Sequence, residues 1–143
     1  MIKLVEINED NWRPGLSVAE EQKQFVSDSN KLLARAYAYR NSRSCAFLIC
    51  DEETPVGMGL YYDYDSLNAY DLSQLFIDHR YQRKGYASAA MELLLEKLRQ
   101  DGKYNKIFLT YIDGNDAARK FYERHGFVQG KQVDDEIFME RKL

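Results

Sequence analysis

The chain has 143 residues and a mass of 16.8 kDa, enough for one domain with a single hydrophobic core. Hydrophobic residues make up 45% of it and charged residues 30%, with only two prolines, which excludes disordered and collagen-like chains. The net charge of -3 argues against general binding to nucleic acid, which favours a basic excess. The acidic balance instead leaves room for a cationic partner.

Cysteine and histidine are too sparse for a zinc site, and we expect no metal. Cys45 and Cys50 share an apolar run and are predicted to be buried thiols, while His79 and His125 lie far from them in sequence. The first residues lack the apolar stretch of a signal peptide, and no segment is long enough to span a bilayer. These observations predict a cytoplasmic protein with no membrane partner.

The first half of the chain contains both strand-like and helical patterns. Helical spacing over residues 16–39 is broken near 27–29, which predicts two short helices. Residues 51–55 are typical of a hairpin turn between two strands. The predicted strands of this half are 2–7, 45–50, 56–62 and 70–77. Gly57 and Gly59, in the middle of a strand, are expected to allow close packing.

The second half contains the clearest helix. Apolar residues recur every three or four positions from Ala87 to Leu98, and Gly102 ends the pattern. The remaining predicted elements are a strand over 107–112, a helix from its N-cap Asn115 to Gly126, and a hairpin of 127–128 with 137–139.

The order of these elements is β-αα-β-β-β-α-β-α-β-β. It predicts an α/β fold in which a mixed, mostly antiparallel sheet of six to seven strands is flanked by about four helices. Because the sequence has no internal repeat and no linker, we expect a single domain over residues 1–143.

The segment 81–87 lies between the strand over 70–77 and the leucine-rich helix. Main-chain N–H groups at a helix start lack partners and carry partial positive charge. Gly85 lets the main chain approach a ligand, and Arg83 and Lys84 add mobile cations. Together these features predict a pyrophosphate cradle, although the loop alone is also typical of a solvated helix start. The chain lacks the glycine patterns of a Walker loop and of a dinucleotide fingerprint.

A second motif, over residues 115–127, follows the next strand. Together the two motifs resemble those of the GNAT family of N-acetyltransferases, which bind acetyl-CoA. The family pattern R/Q-x-x-G-x-G/A is matched by Gln82, Gly85 and Ala87. The pattern N-x-x-A-x-x-F-Y-x-x-x-G-F is matched by Asn115, Ala118, Phe121, Tyr122, Gly126 and Phe127. The resemblance covers most of the chain and implies the GNAT fold, with acetyl-CoA as cosubstrate.

Within the family, the chain is similar to the bacterial spermidine/spermine N-acetyltransferase-like branch. The residues behind this finer match are 16–18, Gln22, 25–26, 76–78 and 136–139. The match implies a cationic polyamine acceptor. No cysteine occupies an evident nucleophile position, so we expect direct transfer in a ternary complex. Family members are often dimers, which makes a homodimer possible.

The resemblance also implies which residues bind the cofactor. The main chain of Leu75, Phe76 and Ile77 would pair with the pantetheine amides as an added strand does. The pyrophosphate would be held by the main chain of Gln82, Arg83, Lys84, Gly85, Tyr86 and Ala87. Asn115 would touch the pantetheine arm or simply cap its helix. Phe121 would pack beside the cofactor or fill the core.

Tyr122 matches the family's acid position, where a phenol protonates the departing thiolate. The base is less clear from the residues. Related enzymes often place a carboxylate near Ser73 or Gln74, and both positions are neutral here. Asp71, the nearest acidic residue of that strand, is the candidate base, and water-relayed loss of the proton is the alternative.

Candidate acceptor-binding residues combine aromatic rings with carboxylates. One candidate segment contains Tyr61, Asp63 and Asp65. It could bind a cation through ion pairs and cation–π contact, or it could be a solvated loop. Glu20 and Glu21 lie in the early helical region that usually walls the acceptor site in this family.

Other acceptors and one other class of protein stay open on the sequence. The amine could instead be an aminoglycoside, an amino acid or a protein N-terminus. The missing strand carboxylate also allows a non-catalytic acyl-CoA-binding sensor. Tyr122 speaks against a sensor, because a pure binding protein needs no acid for the thiolate.

Overall fold

A computed structural model describes residues 1–25 and 28–143, and Val26 and Ser27 lie outside the described residues. In this part of the chain the strands are β1 (Ile2–Glu6), β2 (Cys45–Asp51), β3 (Thr54–Tyr64), β4 (Ala69–Ile77), β5 (Lys106–Ile112), β6 (Val128–Val133) and β7 (Glu136–Lys142). The α-helices are α1 (Ser29–Ala38), α2 (Tyr86–Asp101) and α3 (Asp116–Arg124). None of the helices described is long and apolar enough to cross a membrane.

The strands of the described residues form one seven-stranded sheet in the order β1-β2-β3-β4-β5-β7-β6. Only β4 and β5 pair in parallel, and the other neighbours are antiparallel. One face packs against α2 and α3 through a core that includes Leu95 and Leu109. The other face packs against α1 through residues such as Leu32 and Met58. The predicted mixed, mostly antiparallel sheet covered by helices is confirmed.

The predicted pair of helices before β2 is only half present. Residues Glu20–Gln22 form a single 3-10 turn, in which no residue is buried and the N-cap Ala19 makes no side-chain cap bond. By contrast, the Asp28 side chain caps α1 at 2.8 Å from a main-chain nitrogen, and Leu32 is fully buried. A short segment without a cap or a buried face has little to stabilise it as a helix. The other predicted elements are confirmed, with ends that differ by a few residues.

The parallel strands β4 and β5 pair over only a short stretch. Tyr70 lies opposite Ile107 and Asp71 opposite Phe108, and the pairing stops there although both strands continue. Beyond Asp71, no strand of the described residues pairs with the β5-facing edge of β4. The two strands therefore splay into a wedge, whose β4 edge offers main-chain hydrogen-bonding groups to a ligand.

Two glycines of β3 allow close packing, as the sequence predicts. A Cβ atom on Gly59 would collide with the Phe47 ring, and one on Gly57 with the main-chain oxygen of Phe76. These glycines therefore serve the packing of the sheet and not the binding of a ligand.

Both cysteines lie in the interior, as predicted. Cys50 is buried and Cys45 partly buried, and burial raises the pKa of both thiols. A thiol with a raised pKa stays protonated, so neither is a ready nucleophile. Among the described residues, no group of three or more His, Cys, Asp or Glu side chains is placed to hold a metal ion.

Candidate active site

A cleft of about 680 Å³ opens where β4 and β5 diverge. Its walls are the second half of β4, the end of β5, the start of α2, a face of α3, and parts of the segment leading into α1. The predicted site residues that line it are Glu21, Leu75, Phe76, Ile77, Gln82, Arg83, Gly85, Tyr86, Ala87, Asn115, Phe121 and Tyr122. The predicted site residues that do not line it are Glu20, Tyr61, Asp63, Asp65, Asp71 and Lys84.

The loop before α2 is shaped by two residues in the left-handed region. Arg83 has a φ of 64°, and Gly85, the N-cap of α2, has a φ of 80°. The first N–H groups of α2 have no acceptor within the helix, and the helix dipole makes this end positive. A Cβ atom on Gly85 would meet no protein atom within 4 Å, so open space lies beside the loop. This corner of the cleft can therefore hold an anionic group.

Side chains on either side of the loop hold it in place. Asp78 is buried, and its carboxylate accepts two main-chain N–H groups at 2.9 Å. The Gln82 side-chain amide donates to the carbonyl oxygen of Ile77 at 3.3 Å, and the Tyr86 hydroxyl donates to Asp51 at 2.7 Å. Gln82 and Tyr86 thus fix the shape of the predicted cradle through their side chains.

Asn115 is buried at the start of α3 and joins two parts of the cleft wall. Its Oδ1 accepts the main-chain N–H of Ala118 at 3.3 Å, which confirms the predicted N-cap. Its Nδ2 donates to Gln22 Oε1 at 3.5 Å. Asn115 therefore connects α3 to the 3-10 turn across the cleft, and its contact with a pantetheine arm stays a prediction.

Tyr122 lies on the face of α3 that lines the cleft. The rings of Phe121 and Phe127 pack edge-on against it, with centroids 5.4 and 5.6 Å away. Burial raises the pKa of Tyr122 to about 12. A phenol with this pKa is protonated at neutral pH, so it can donate a proton inside the cleft.

The end of α3 is tied to α2 by a chain of polar side chains. The hydroxyl of Ser88, which lines the cleft, lies 3.1 Å from His125 Nε2, and His125 Nδ1 lies 3.0 Å from a Glu92 oxygen. The Phe121 ring packs 4.7 Å from the imidazole. These contacts fix the helix that carries Tyr122 against the start of α2.

Asp71, the candidate base, is not among the described residues that line the cleft. Its carboxyl lies beside Tyr62 on the α1 side of the sheet. Burial raises the pKa of Asp71 from 3.8 to about 6, against the smaller opposing effects of a hydrogen bond from Tyr62 and the charge of Arg35. The structure thus gives Asp71 a pKa suited to a base but does not bring it to the reaction space.

We expect Asp71→Asn to stabilise the protein at pH 7.5 and to leave its activity nearly intact. Because folding raises the pKa of Asp71, the folded state binds the proton more tightly, and stability falls as pH rises from 3.8 to about 6. Each pKa unit corresponds to about 1.4 kcal/mol, so the gain at pH 7.5 is up to about 3 kcal/mol and disappears near pH 4. Urea unfolding at both pH values measures it. If Asp71→Asn instead lost its turnover, and an ionisation near pH 6 in the pH profile of the parent disappeared with it, Asp71 would be the base.

Asp63 and Asp65 belong to an ion-pair network at the other end of the sheet. The buried Asp63 carboxylate binds Arg43 Nε and Lys103 Nζ, both at 2.7 Å, and Asp65 lies 3.6 Å from the same lysine. The Tyr61 ring packs into the core on the α2 face. These contacts connect β3 with the end of α2, so these positions do not support a role in binding the acceptor.

The two early glutamates have different surroundings. Glu21 lines the cleft, whereas Glu20 is exposed and pairs with Lys23 at 2.8 Å. Only Glu21 is therefore placed to meet an acceptor in the cleft.

Some cleft residues were missed by sequence reasoning: Arg35, Thr110 and Glu136. Thr110 is the one hydroxyl-bearing aliphatic residue in an apolar strand, and that contrast was an available signal. Glu136 lies opposite Ile112 in the register of β7 with β5, which the sequence pattern does not reveal. Arg35 lies in the last turn of α1, and its position depends on which face of that helix meets β4.

The fold is shared with solved acetyltransferases. An acetyltransferase from Thermus thermophilus superposes with a TM-score of 0.82 at 17% identity, over 99% of this chain and 97% of that one. The PaiA N-acetyltransferase from Thermoplasma acidophilum, solved in complex with coenzyme A, superposes with a TM-score of 0.75 at 16% identity, over 100% and 99%. At these identities the likeness shows the fold alone, and it confirms the predicted fold class.

The family follows from the sequence comparison. The model of the acetyltransferase (GNAT) family matches residues 3–127, so the chain belongs to this family of acetyltransferases, as its two motifs predict. The spermine/spermidine N(1)-acetyltransferase of Bacillus subtilis (strain 168) is 33% identical over 79 residues, which are 53% of this chain and 52% of that one. The chain thus spans about half the length of the curated relatives it matches.

Proposed function

We propose that the chain is an acetyl-CoA-dependent N-acetyltransferase that acts on a primary amine by direct transfer in a ternary complex. The observation that carries the proposal is the wedge between β4 and β5, which has a positive helix start at one wall and the protonated phenol of Tyr122 at another. Family membership and the coenzyme A complex of the Thermoplasma neighbour support it.

The cleft fits coenzyme A in its chemistry. The unpaired edge of β4 at Leu75–Ile77 suits the amides of a pantetheine arm, as an added strand would. The loop 82–87 and the start of α2 suit a diphosphate, and Gly85 has open space where a diphosphate would pass. When bound, acetyl-CoA supplies an activated acetyl thioester to the cleft.

Tyr122 acts in this proposal as the general acid. As the neutral amine nitrogen bonds to the acetyl carbon, the carbon–sulfur bond breaks and the sulfur takes the electron pair. Tyr122 then donates its phenolic proton to that sulfur. Its raised pKa keeps the phenol in its acid form, so the proton is present when the sulfur takes the electron pair.

The amine must also lose a proton, and we propose that water in the cleft takes it. Ser73 and Gln74, where a strand carboxylate would stand, are neutral, and Asp71 does not reach the cleft. Glu21 and Glu136 line the cleft, and their carboxylates can accept the proton from that water. The proton balance then closes: an ammonium acceptor gives one proton to solvent before the attack and a second after its nitrogen has bonded to the acetyl carbon, and the second replaces the proton that Tyr122 has given to the sulfur.

The acceptor is a finer proposal. A polyamine is favoured by the Bacillus relatives, and Glu21 and Glu136 supply carboxylates that can bind an ammonium group. The acceptor classes that compete with it are an aminoglycoside, an amino acid and a protein N-terminus. A non-catalytic acyl-CoA sensor would keep the cradle and lack turnover. A cytoplasmic location and a homodimer stay predictions of the sequence.

Release of free thiol from acetyl-CoA tests the function. The amines to compare are spermine, spermidine, putrescine, an aminoglycoside, free lysine and a basic peptide. We expect turnover that requires both the protein and one of these amines, with acetylamine formed in equal amount to free coenzyme A. Binding of acetyl-CoA without acetylation of any amine in the panel would favour the sensor instead.

A further inference from the structure

The α1 wall of the cleft contains a guanidinium group. Arg35 lies in the last turn of α1, is partly buried and lines the cleft. Its Nη1 donates to the Ser73 hydroxyl of β4 at 2.9 Å. This bond holds the charged group against the strand whose edge is proposed to bind the pantetheine arm.

Arg35 has no carboxylate partner among residues 1–25 and 28–143 within ion-pair distance. Arg43, Arg80 and Arg119 each pair with a carboxylate at 3.6 Å or less, whereas the side-chain hydrogen bond of Arg35 goes to neutral Ser73. The partly buried Asp71 is near enough to feel its charge, but no ion pair joins the two side chains in the described part of the chain. The guanidinium therefore keeps donors for another partner, and it sits in a cleft.

The partner that satisfies a guanidinium best is an anion that takes two hydrogen bonds. Carboxylate oxygens match the parallel N–H groups of arginine in a bidentate pair. A polyamine offers only cations and would meet a like charge at this wall. The charge of this wall therefore disfavours a polyamine acceptor, although the similarity to the Bacillus enzymes favours one.

We propose that Arg35 and Ser73 form a subsite for a carboxylate on the acceptor, so that the acceptor is an amine bearing a carboxylate. This inference rests on the proposed acetyltransferase function. Ser73 precedes Leu75 by two residues in β4, a separation of about 7 Å at roughly 3.3 Å per residue. An extended diamino acid such as lysine or ornithine can bridge that distance, with its carboxylate at Arg35 and its side-chain amine near Leu75.

Matched pairs of amines test the subsite. Lysine and cadaverine differ only in the carboxylate, as do ornithine and putrescine. We expect kcat/KM for lysine or ornithine to exceed that of its partner by about tenfold or more, which one charge-assisted bond accounts for. Arg35→Gln should lower the amino-acid value by about tenfold to a hundredfold, and leave the diamine value unchanged or higher.

Lys31→Gln is the matched control. Lys31 lies on the same helix, is exposed and is not among the described cleft residues. Lys31→Gln removes one positive charge, as Arg35→Gln does, but outside the cleft. It should therefore leave the lysine-to-cadaverine ratio of kcat/KM unchanged. If Arg35→Gln folds poorly by circular dichroism, Arg35→Lys replaces it, because a lysine keeps the charge but loses the bidentate geometry.

A binding measurement separates the two proposals. Calorimetric titration of lysine into the protein saturated with coenzyme A should show heat in the parent and in Lys31→Gln, and none in Arg35→Gln. If no amine is turned over but lysine still binds through Arg35, the proposed acetyltransferase function is wrong and the proposed carboxylate subsite is supported. If turnover favours the diamine, or if Arg35→Gln does not change the lysine-to-cadaverine ratio of kcat/KM, the proposed carboxylate subsite is wrong. The proposed acetyltransferase function would still stand.

Discussion

Replacing Tyr122 with phenylalanine should lower kcat by about 100-fold or more, the usual contribution of a general acid, while the affinity for acetyl-CoA stays nearly unchanged. The substitution removes one oxygen and keeps the ring that packs against Phe121 and Phe127, so α3 should keep its place. Without the phenol, the departing sulfur loses its proposed proton donor and leaves as an unprotonated thiolate. Steady-state thiol release and calorimetric titration of acetyl-CoA measure the two quantities.

Tyr111→Phe is the control for this prediction. Tyr111 also lines the cleft, but its hydroxyl is 3.2 Å from Gln129. Loss of that hydroxyl should change kcat by less than about threefold, because it removes a neutral hydrogen bond at most and no catalytic proton. Equal loss of turnover and acetyl-CoA binding in Tyr122→Phe would contradict the acid assignment and indicate a structural or binding role.

The parts of the site that the sequence predicts are those set by local chain chemistry. Gly85 adopts a positive φ at the N-cap of α2, as a glycine before a helical pattern indicates. Asn115 caps α3 through its own side chain, a bond that spans only three residues. Such features depend on neighbours along the chain, so a spacing pattern is enough to find them.

The parts that the sequence does not predict depend on packing between distant elements. Arg35 reaches Ser73 across 38 residues of chain, because α1 packs on the face of the sheet that carries Ser73. Asp63 was a candidate for the acceptor, yet Arg43, which precedes β2, and Lys103, which follows α2, bind it. A carboxylate-rich segment looks the same in sequence whether it meets a substrate or the protein's own cations.

The same limit applies to the early helical region. Glu20 and Glu21 are adjacent and identical, so composition gives both the same prediction. The 3-10 turn directs one to the cleft and leaves the other to pair with Lys23. Which of two neighbours faces a site depends on the backbone geometry of one short turn, and no periodic pattern marks it.

Gly85→Ala should weaken the binding of coenzyme A by about tenfold to a hundredfold, the value of one charge-assisted hydrogen bond. The added Cβ would enter the open space beside the first N–H groups of α2, where the diphosphate is proposed to lie. It would also make an L residue adopt a φ of 80°, which costs about 1–2 kcal/mol of stability. Calorimetry with coenzyme A and urea unfolding measure the two effects separately.

Gly15→Ala separates strain from obstruction. Gly15 has a φ of 71° and, like Gly85, no atom within 4 Å of an added Cβ, but it is not among the described residues of the cleft. Both variants should therefore lose similar stability, and only Gly85→Ala should lose affinity. If Gly85→Ala and Gly15→Ala bound coenzyme A with equal affinity, the diphosphate would not pass Gly85. Because the start of α2 is the wall at which the diphosphate is proposed to bind, the proposed orientation of coenzyme A would then have to be reversed or abandoned.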